Sequence, residues 1–144
     1  MASSQAKLTA LLFTPGSRPD RFEKTVASGA DGIIIDLEDA VPAPDKDRVR
    51  ADVVAWLKQN GRVGAPPFVT AVRINDLRSA HGRADLDALN AAALRLDVVV
   101  LPKVECAAEV QLAARKLFGQ PRLVCLVETV LGVRFAHEIA TASP

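Results

Sequence analysis

A run of three isoleucines followed closely by three carboxylates, within residues 33–39, constrains the fold more than any other stretch. Consecutive β-branched residues predict a strand that is buried on both faces, as the strands of parallel sheets are. Asp36, Glu38 and Asp39 cannot continue into a core, because each unpaired charge would cost several kcal/mol to desolvate. The stretch therefore predicts a strand that delivers an acidic site to the mouth of an α/β fold.

The composition fits one globular domain and excludes several classes of function. The chain has 144 residues, of which 49% are hydrophobic, and a formal net charge of +1. The balanced charge argues against nucleic-acid partners and against electrostatic attachment to membranes. No apolar run approaches the ~20 residues of a membrane span, and residues 1–7 lack the pattern of a secretory signal. Cys106 and Cys125 lack the spacing of a zinc site or a disulfide framework, so we expect two small buried residues in a reducing cytoplasm.

Apolar segments of strand length alternate with segments of helical periodicity along the chain. The predicted strands are residues 8–13, 32–36, 68–74, 97–101 and 122–127. The predicted helices lie between 17 and 29, over 45–59, after 83, over 105–118, and from about 131, the last with Val133, Ala136 and Ile139 facing inward. Five βα units in tandem predict an all-parallel sheet with helical crossovers.

Two architectures are compatible with five parallel βα units. A doubly wound five-stranded domain would be complete at this length, whereas a (β/α)8 barrel, which typically has ~250 residues, would lack about three units. Polar residues follow every predicted strand: Thr14 and Arg18; Asp36, Glu38 and Asp39; Arg73 and Asn75; Lys103 and Glu105; Glu128 and Thr129. Substrate sites of βα barrels draw on many strand ends, whereas a doubly wound sheet uses two or three, so this distribution favours the barrel.

Five motifs occur in an order that resembles one enzyme family. They are FTPGSRPDRF at 13–22, GADGIIIDLEDAV at 29–41, VRIN at 72–75, LPKVE at 101–105 and VET at 127–129. Together they resemble the HpcH/HpaI aldolase and citrate lyase beta family, over nearly the whole chain from Leu8 onward. The resemblance implies a TIM-type (β/α)8 barrel, so we expect residues 1–144 to form one partial barrel domain with about five of its eight units.

The same resemblance implies a chemistry. Members of the family bind a divalent metal, usually Mg²⁺, and cleave or form a carbon–carbon bond beside a carboxylate. Their substrates are typically citryl, malyl or methylmalyl thioesters of coenzyme A (acyl-CoA) or of an acyl carrier protein. In several members a neighbouring subunit lends the catalytic carboxylate, so we also expect a homo-oligomer in the cytoplasm.

The resemblance assigns site residues position by position. Glu128 matches the metal-binding glutamate that also approaches the substrate; the alternative is a solvated residue at a helix start. Arg73 matches the arginine that binds the substrate carboxylate, and an ion pair with Asp36 or Glu38 is its structural alternative. Glu38 and Asp39 match acids that flank the metal through its waters, and with Arg73 they form the predicted catalytic group.

The remaining candidates concern the thioester and a possible nucleophile. Phe13, Arg18 and Lys24 match positions that contact the coenzyme A portion of the substrate, although Lys24 could equally be a solvated helix residue and Phe13 a core residue. Lys103 allows a Schiff-base hypothesis, because a desolvated lysine can act as a nucleophile. An ion pair, with Asp36 as a candidate partner, ranks above that hypothesis.

The family's second metal ligand and its catalytic carboxylate would lie beyond residue 144. We therefore expect weak metal binding and little or no catalysis from this chain alone. Two rival interpretations stay open: a non-catalytic half-barrel that assembles with itself or a partner chain through open sheet edges, and a doubly wound response-regulator-like domain. The latter needs acids after the first strand, where Thr14, Pro15 and Gly16 stand, and it ranks last.

Overall fold

The computed structural model describes residues 9–142, in which strands and helices alternate as predicted. The strands are β1 (Leu11–Pro15), β2 (Gly32–Asp36), β3 (Val69–Arg73), β4 (Val98–Leu101) and β5 (Arg122–Cys125). The helices are α1 (Phe22–Ala27), α2 (Lys46–Asn60), α3 (Ala80–Ala91), α4 (Ala107–Lys116), α5 (Val130–Arg134) and α6 (Ala136–Ala140), with 3₁₀ turns at Pro19–Arg21 and Ala43–Asp45. Within residues 9–142, no helix has the length and apolar character needed to cross a membrane.

The five strands form one parallel sheet in the order β1-β2-β3-β4-β5, so each strand pairs with its neighbours in sequence. A doubly wound sheet would instead reverse its strand order at a switch point. Progression in one direction is the winding of a βα barrel, and the prediction of a partial TIM-type barrel is confirmed. Strands β1 and β5 form the two edges of this open sheet.

The core lies mainly between the sheet and its helices. Side chains alternate along a strand, so Ile33 and Ile35 of β2 face the helices while Ile34 faces the other side. In the larger cluster, side chains from the helices pack against this face of the sheet. They include Phe22 from α1, Val53 from α2, Leu86 from α3 and Val110 from α4. The smaller cluster, on the opposite face, holds Ile34, Val69, Ala71, Val98 and Val100. Burial on both faces explains why the isoleucine run predicted β2 with its observed bounds.

Strand β1 differs from its predicted bounds. It begins at Leu11 and continues to Pro15, while Leu8, the predicted first residue, lies outside the described residues. Pairing with β2 extends through Pro15 opposite Asp36, and the buried hydroxyl of Thr14 lies 2.9 Å from that of Thr25 in α1. These contacts hold the last two residues in the sheet, where the sequence had indicated a turn.

The prediction that both cysteines are buried is wrong for one of them. Cys106 is exposed, because it precedes α4 as its N-cap residue, and the Glu109 carboxylate accepts a hydrogen bond from its amide. Cys125 closes β5 and is half-buried, which raises the pKa of its thiol. Both are free thiols.

The last predicted helix is two short helices, α5 and α6, and its predicted inward face is only partly correct. Ile139 is buried, but Val133 is 66% exposed. The reason lies at Gly132, where a Cβ atom would stand 2.5 Å from the carbonyl oxygen of Val104. Because α5 approaches the β4–α4 loop through this glycine, Val130 and Val133 on either side of it face outward.

Candidate functional site

The candidate site lies at the carboxyl ends of four neighbouring strands. Asp36 ends β2, Arg73 ends β3, Lys103 follows β4 by two residues, and Glu128 follows β5 by three. All five strands are parallel, so these residues share one rim of the sheet. The register places Asp36 directly beside Arg73. This is the end at which βα barrels build their substrate sites.

Arg73 is the centre of the acidic cluster. Its Nε and Nη2 donate to the two oxygens of Asp36 at 2.8 and 2.7 Å, a bidentate arrangement. Its Nη1 lies 3.0 Å from Glu38 Oε2 and 3.5 Å from Asp39 Oδ2. The Asp36 and Arg73 side chains are only 3% and 11% exposed, so the guanidinium neutralises charge that has left water. The structural alternative for Arg73 was an ion pair with Asp36 or Glu38, and the structure contains both pairs.

Lys103 joins the acidic cluster to Glu128. Its Nζ donates to Glu38 Oε1 at 2.5 Å and lies 3.8 Å from Asp39 Oδ1, while its backbone amide donates to Glu128 Oε1 at 3.0 Å. The partner of the lysine is therefore Glu38; Asp36, the candidate partner, is taken by Arg73. The hydrogen bond to Glu38 raises the pKa of Lys103, which favours the ammonium and disfavours a nucleophilic amine.

The pKa values of the two buried acids of this cluster, Asp36 and Glu38, are shifted in opposite directions. Burial raises the pKa of the Asp36 carboxyl, but hydrogen bonds from Arg73 and from the amides of Glu38 and Ala40 outweigh it, and the net pKa is lowered. Burial also raises the pKa of Glu38, and the Lys103 and Arg73 cations offset this only in part, so its pKa stays raised. Asp36 is thus held ionised, whereas Glu38 binds a proton more readily than Asp36 does.

The stabilisation provided by Asp36 is expected to depend on pH. A carboxyl whose pKa is lowered by folding contributes stability that is fully present above its unfolded pKa, ordinarily 3.8 for aspartate, and is lost as the pH falls through its folded pKa. The loss of unfolding free energy in D36N should therefore be largest at pH 7 and should shrink below pH 4. Urea unfolding of both proteins from pH 7 to pH 3 measures this difference. D52N, at an exposed site on α2, is the control, and a D36N effect that grows on acidification would contradict the assignment.

A second polar network lies beneath the rim and holds its loops. Lys46 Nζ donates to the carbonyls of Leu37 and Glu38 at 3.1 and 2.7 Å and to Asn75 Oδ1 at 2.6 Å. Asn75 Nδ2 donates to the Leu37 carbonyl and to the fully buried Asp85. No role was predicted for Lys46 or Asp85, because an isolated charge in an amphipathic helix is usually solvated. Of these network residues, only Asn75 belongs to a motif that indicated a functional site, the VRIN motif.

Of the three residues predicted to contact coenzyme A, two line one groove and the third lies outside it. The ring of Phe13 is 48% exposed and lies 4.8 Å from the guanidinium carbon of Arg73, so it adjoins the cluster. Phe13 and Lys24 also line one open groove of about 410 Å³, together with Leu12, Thr14, Pro15, Arg21 and Thr25. Arg18 is outside that lining, and its exposed guanidinium pairs with Asp20 at 2.9 and 2.8 Å.

The carboxylates of this rim suit a hard cation, though they form a sparse ligand set. Among residues 9–142, no group of three or more His, Cys, Asp or Glu side chains is arranged to hold a metal ion. Glu128 is exposed, and its only hydrogen bond within the described part of the chain is from the Lys103 amide to Oε1, which leaves Oε2 for a ligand. Because Mg²⁺ keeps several waters and is often bound through one or two carboxylates, the donor set fits a hydrated cation at Glu128.

Consecutive parallel βα units whose strand ends gather an arginine, a lysine and several carboxylates define one part of a TIM-type barrel with an enzyme-like rim. The family model described as HpcH/HpaI aldolase/citrate lyase matches residues 9–144, and the chain belongs to this family. The family resemblance inferred from the five motifs is thereby confirmed.

Several relatives are carbon–carbon lyases by name. The L-malyl-CoA/beta-methylmalyl-CoA lyase of Cereibacter sphaeroides is 38% identical over an alignment of 143 residues that covers 92% of this chain and 44% of that protein. The citrate lyase subunit beta of Leuconostoc mesenteroides subsp. cremoris is 38% identical over 92% of this chain and 46% of its own length. CitE from Mycobacterium tuberculosis, solved with magnesium, acetoacetate and coenzyme A, superimposes with a TM-score of 0.75 at 38% identity, covering 96% of this chain and 47% of that one. The chain spans about half the length of these relatives.

Proposed function

We propose that this chain forms part of a Mg²⁺-dependent carbon–carbon lyase that cleaves or forms citryl- or malyl-type thioesters. The observation that carries the proposal is the convergence of Arg73, Glu38 and Glu128 on one rim, linked through Lys103. Relatives named as malyl-CoA lyase and citrate lyase beta subunit support the reaction class, and the CitE structure with magnesium and coenzyme A supports the cofactor and the substrate class.

The roles follow from the contacts of each side chain. Glu128 would hold the cation through its free oxygen, with Glu38 and Asp39 accepting hydrogen bonds from metal-bound waters. When bound, Mg²⁺ supplies Lewis-acid stabilisation of the negative charge that develops beside the substrate carboxylate. Arg73 would bind that carboxylate through Nη1, since Asp36 already occupies Nε and Nη2. This fixes the orientation of the substrate before the bond breaks.

The thioester portion would lie in the groove beside β1. Phe13 supplies an apolar surface next to Arg73, and Lys24 supplies a cation for phosphate groups of coenzyme A. Arg18 would join them only by leaving its pair with Asp20, which costs little because both side chains are exposed to solvent. The free thiols Cys106 and Cys125 agree with a reducing cytoplasm, and we propose a homo-oligomer as the working assembly.

The isolated chain is expected to show little or no lyase turnover with malyl- or citryl-CoA and Mg²⁺. The function is therefore tested in a chimera in which residues 9–144 replace the matching part of the Cereibacter sphaeroides lyase. The chimera should cleave malyl-CoA with Mg²⁺, and E128Q should reduce kcat/KM by at least about 100-fold, since it removes a carboxylate ligand.

The matched control is E138Q, which changes an exposed glutamate on α6 and should leave the rate unchanged. A folded chimera that tolerates E128Q as well as it tolerates E138Q would contradict the metal role of Glu128. Clear turnover by the isolated chain would contradict the expectation that it is insufficient alone.

A non-catalytic half-barrel that assembles through its edges is the second candidate. The observation in its favour is the exposed apolar surface beside edge strand β5, where Val130, Val133 and Leu131 are 87%, 66% and 47% exposed. Contiguous apolar surface of this kind favours association. Sedimentation velocity tests the candidate, because a compact monomer at micromolar concentration would exclude pairing of the chain with itself.

A further inference from the structure

Lys103 contacts both carboxylates of the proposed metal site, and it does so through different atoms. Its backbone amide donates to Glu128 Oε1, and its ammonium donates to Glu38 Oε1. The residue has a φ of 51°, in the left-handed region that residues other than glycine seldom adopt. Arg78 Nη2 donates to its carbonyl at 3.3 Å and helps to hold this conformation. One residue therefore binds both carboxylates, Glu128 through its backbone amide and Glu38 through its ammonium.

Glu38 depends on Lys103 for much of its neutralisation. Its side chain is 6% exposed, and Oε2 accepts no hydrogen bond from the described residues, although Arg73 Nη1 lies 3.0 Å away. The other two donor atoms of Arg73 are committed to Asp36. Lys103 thus makes the hydrogen bond that this buried carboxylate receives. Without the ammonium, Glu38 would be a buried anion with an incomplete set of partners, a costly state that another cation would relieve.

We propose that the Lys103 ammonium prevents Glu38 from acting as a second ligand to a divalent cation bound at Glu128. It thereby limits the affinity of the site for the cation. This inference rests on the proposed metal role of Glu128. Lys103 is therefore a positioning residue. Its amide orients Glu128, and its side chain binds Glu38 and keeps that carboxylate from the cation. Replacing the side chain leaves the amide, so the two effects are separable.

Mn²⁺ binding to the full chain, measured by electron paramagnetic resonance of the free ion, tests the inference without any substrate. K103M and K103Q should each bind Mn²⁺ about tenfold more tightly than the wild type, the effect of removing one unit charge a few ångströms from the cation. The gain should fall as the salt concentration rises. K103R keeps the charge, and the 40% exposure of the Lys103 side chain leaves room for a guanidinium, so its affinity should match the wild type. K58M, on the exposed end of α2, is the control.

The outcomes separate this inference from the proposed function. Equal or weaker Mn²⁺ binding by K103M and K103Q overturns the inference, as does tighter binding by K103R. E128Q reports on the metal site itself: loss of Mn²⁺ binding supports the proposed function whatever the lysine variants show. Unchanged binding by E128Q removes the metal role of Glu128 and the inference with it. Circular dichroism of each variant confirms that the fold is retained.

Discussion

Replacing Arg73 with methionine is expected to lower the free energy of unfolding by about 3–5 kcal/mol, the range for removing one partner of a buried ion pair. Methionine keeps much of the buried aliphatic volume but leaves Asp36 without either of its guanidinium hydrogen bonds. Glu38 loses the cation beside its Oε2 and keeps only Lys103. Two acids would then share a nearly buried site with one ammonium, and that ammonium does not contact Asp36.

Urea unfolding at pH 7 measures the change, with R48M as the matched control. Arg48 also pairs with two acids, Asp45 and Asp52, but all three side chains are at least 45% exposed. Solvent screens such exposed pairs, so R48M should differ little from the wild type. R73K should be intermediate, because an ammonium keeps the charge but cannot form the bidentate fork. If R73M and R48M lose similar amounts, the buried cluster is not the stabilising element described above.

The strand pattern and the position of the rim could be predicted because both follow from local rules. Three isoleucines in a row fit only a position with apolar neighbours on both faces, and β2 has the predicted bounds. Parallel pairing then brings the strand ends together regardless of other details, which is why Arg73 lies beside Asp36. An ion pair of Arg73 with Asp36 or Glu38 was the predicted alternative to substrate binding, and the structure contains both pairs. The catalytic roles of Arg73, Glu38 and Asp39 and the metal-binding role of Glu128 stay predictions.

The partners of individual charges could not be predicted, because they depend on distances between loops. Lys103 binds Glu38, while both carboxylate oxygens of Asp36 accept hydrogen bonds from the guanidinium of Arg73. Periodicity also failed at α5, where Val133 fits an inward position but Gly132 makes the close contact. A hydrophobic pattern reports which side chains prefer burial; it does not report which backbone can approach a neighbouring loop.

Replacing Asp85 with alanine is expected to lower the free energy of unfolding by about 3–5 kcal/mol, although the sequence marks it as an ordinary helix aspartate. Its side chain is fully buried, accepts Arg50 Nε at 2.5 Å, and accepts both the amide and Nδ2 of Asn75 at 2.8 and 2.7 Å. Alanine would leave three donors without an acceptor, and an unsatisfied buried donor costs about 1–3 kcal/mol. Asn75 would also lose the contact that orients it toward Lys46 and the Leu37 carbonyl.

Asp87 provides the control for this prediction, since it lies two residues along the same helix and is 58% exposed in its pair with Lys116. Urea unfolding should show a change of at most about 1 kcal/mol for D87A, and D85N should be intermediate because its amide keeps one acceptor oxygen. D85N also retains the volume of the side chain. A D85A loss much larger than the D85N loss would therefore point to an unfilled cavity in D85A. Similar losses in the two variants would point to the missing negative charge. A D85A loss no greater than that of D87A would mean that the network beneath the rim does not hold the loops. In that case the contacts of Glu38 with Asp36, Arg73 and Lys103 would suffice to hold it in place.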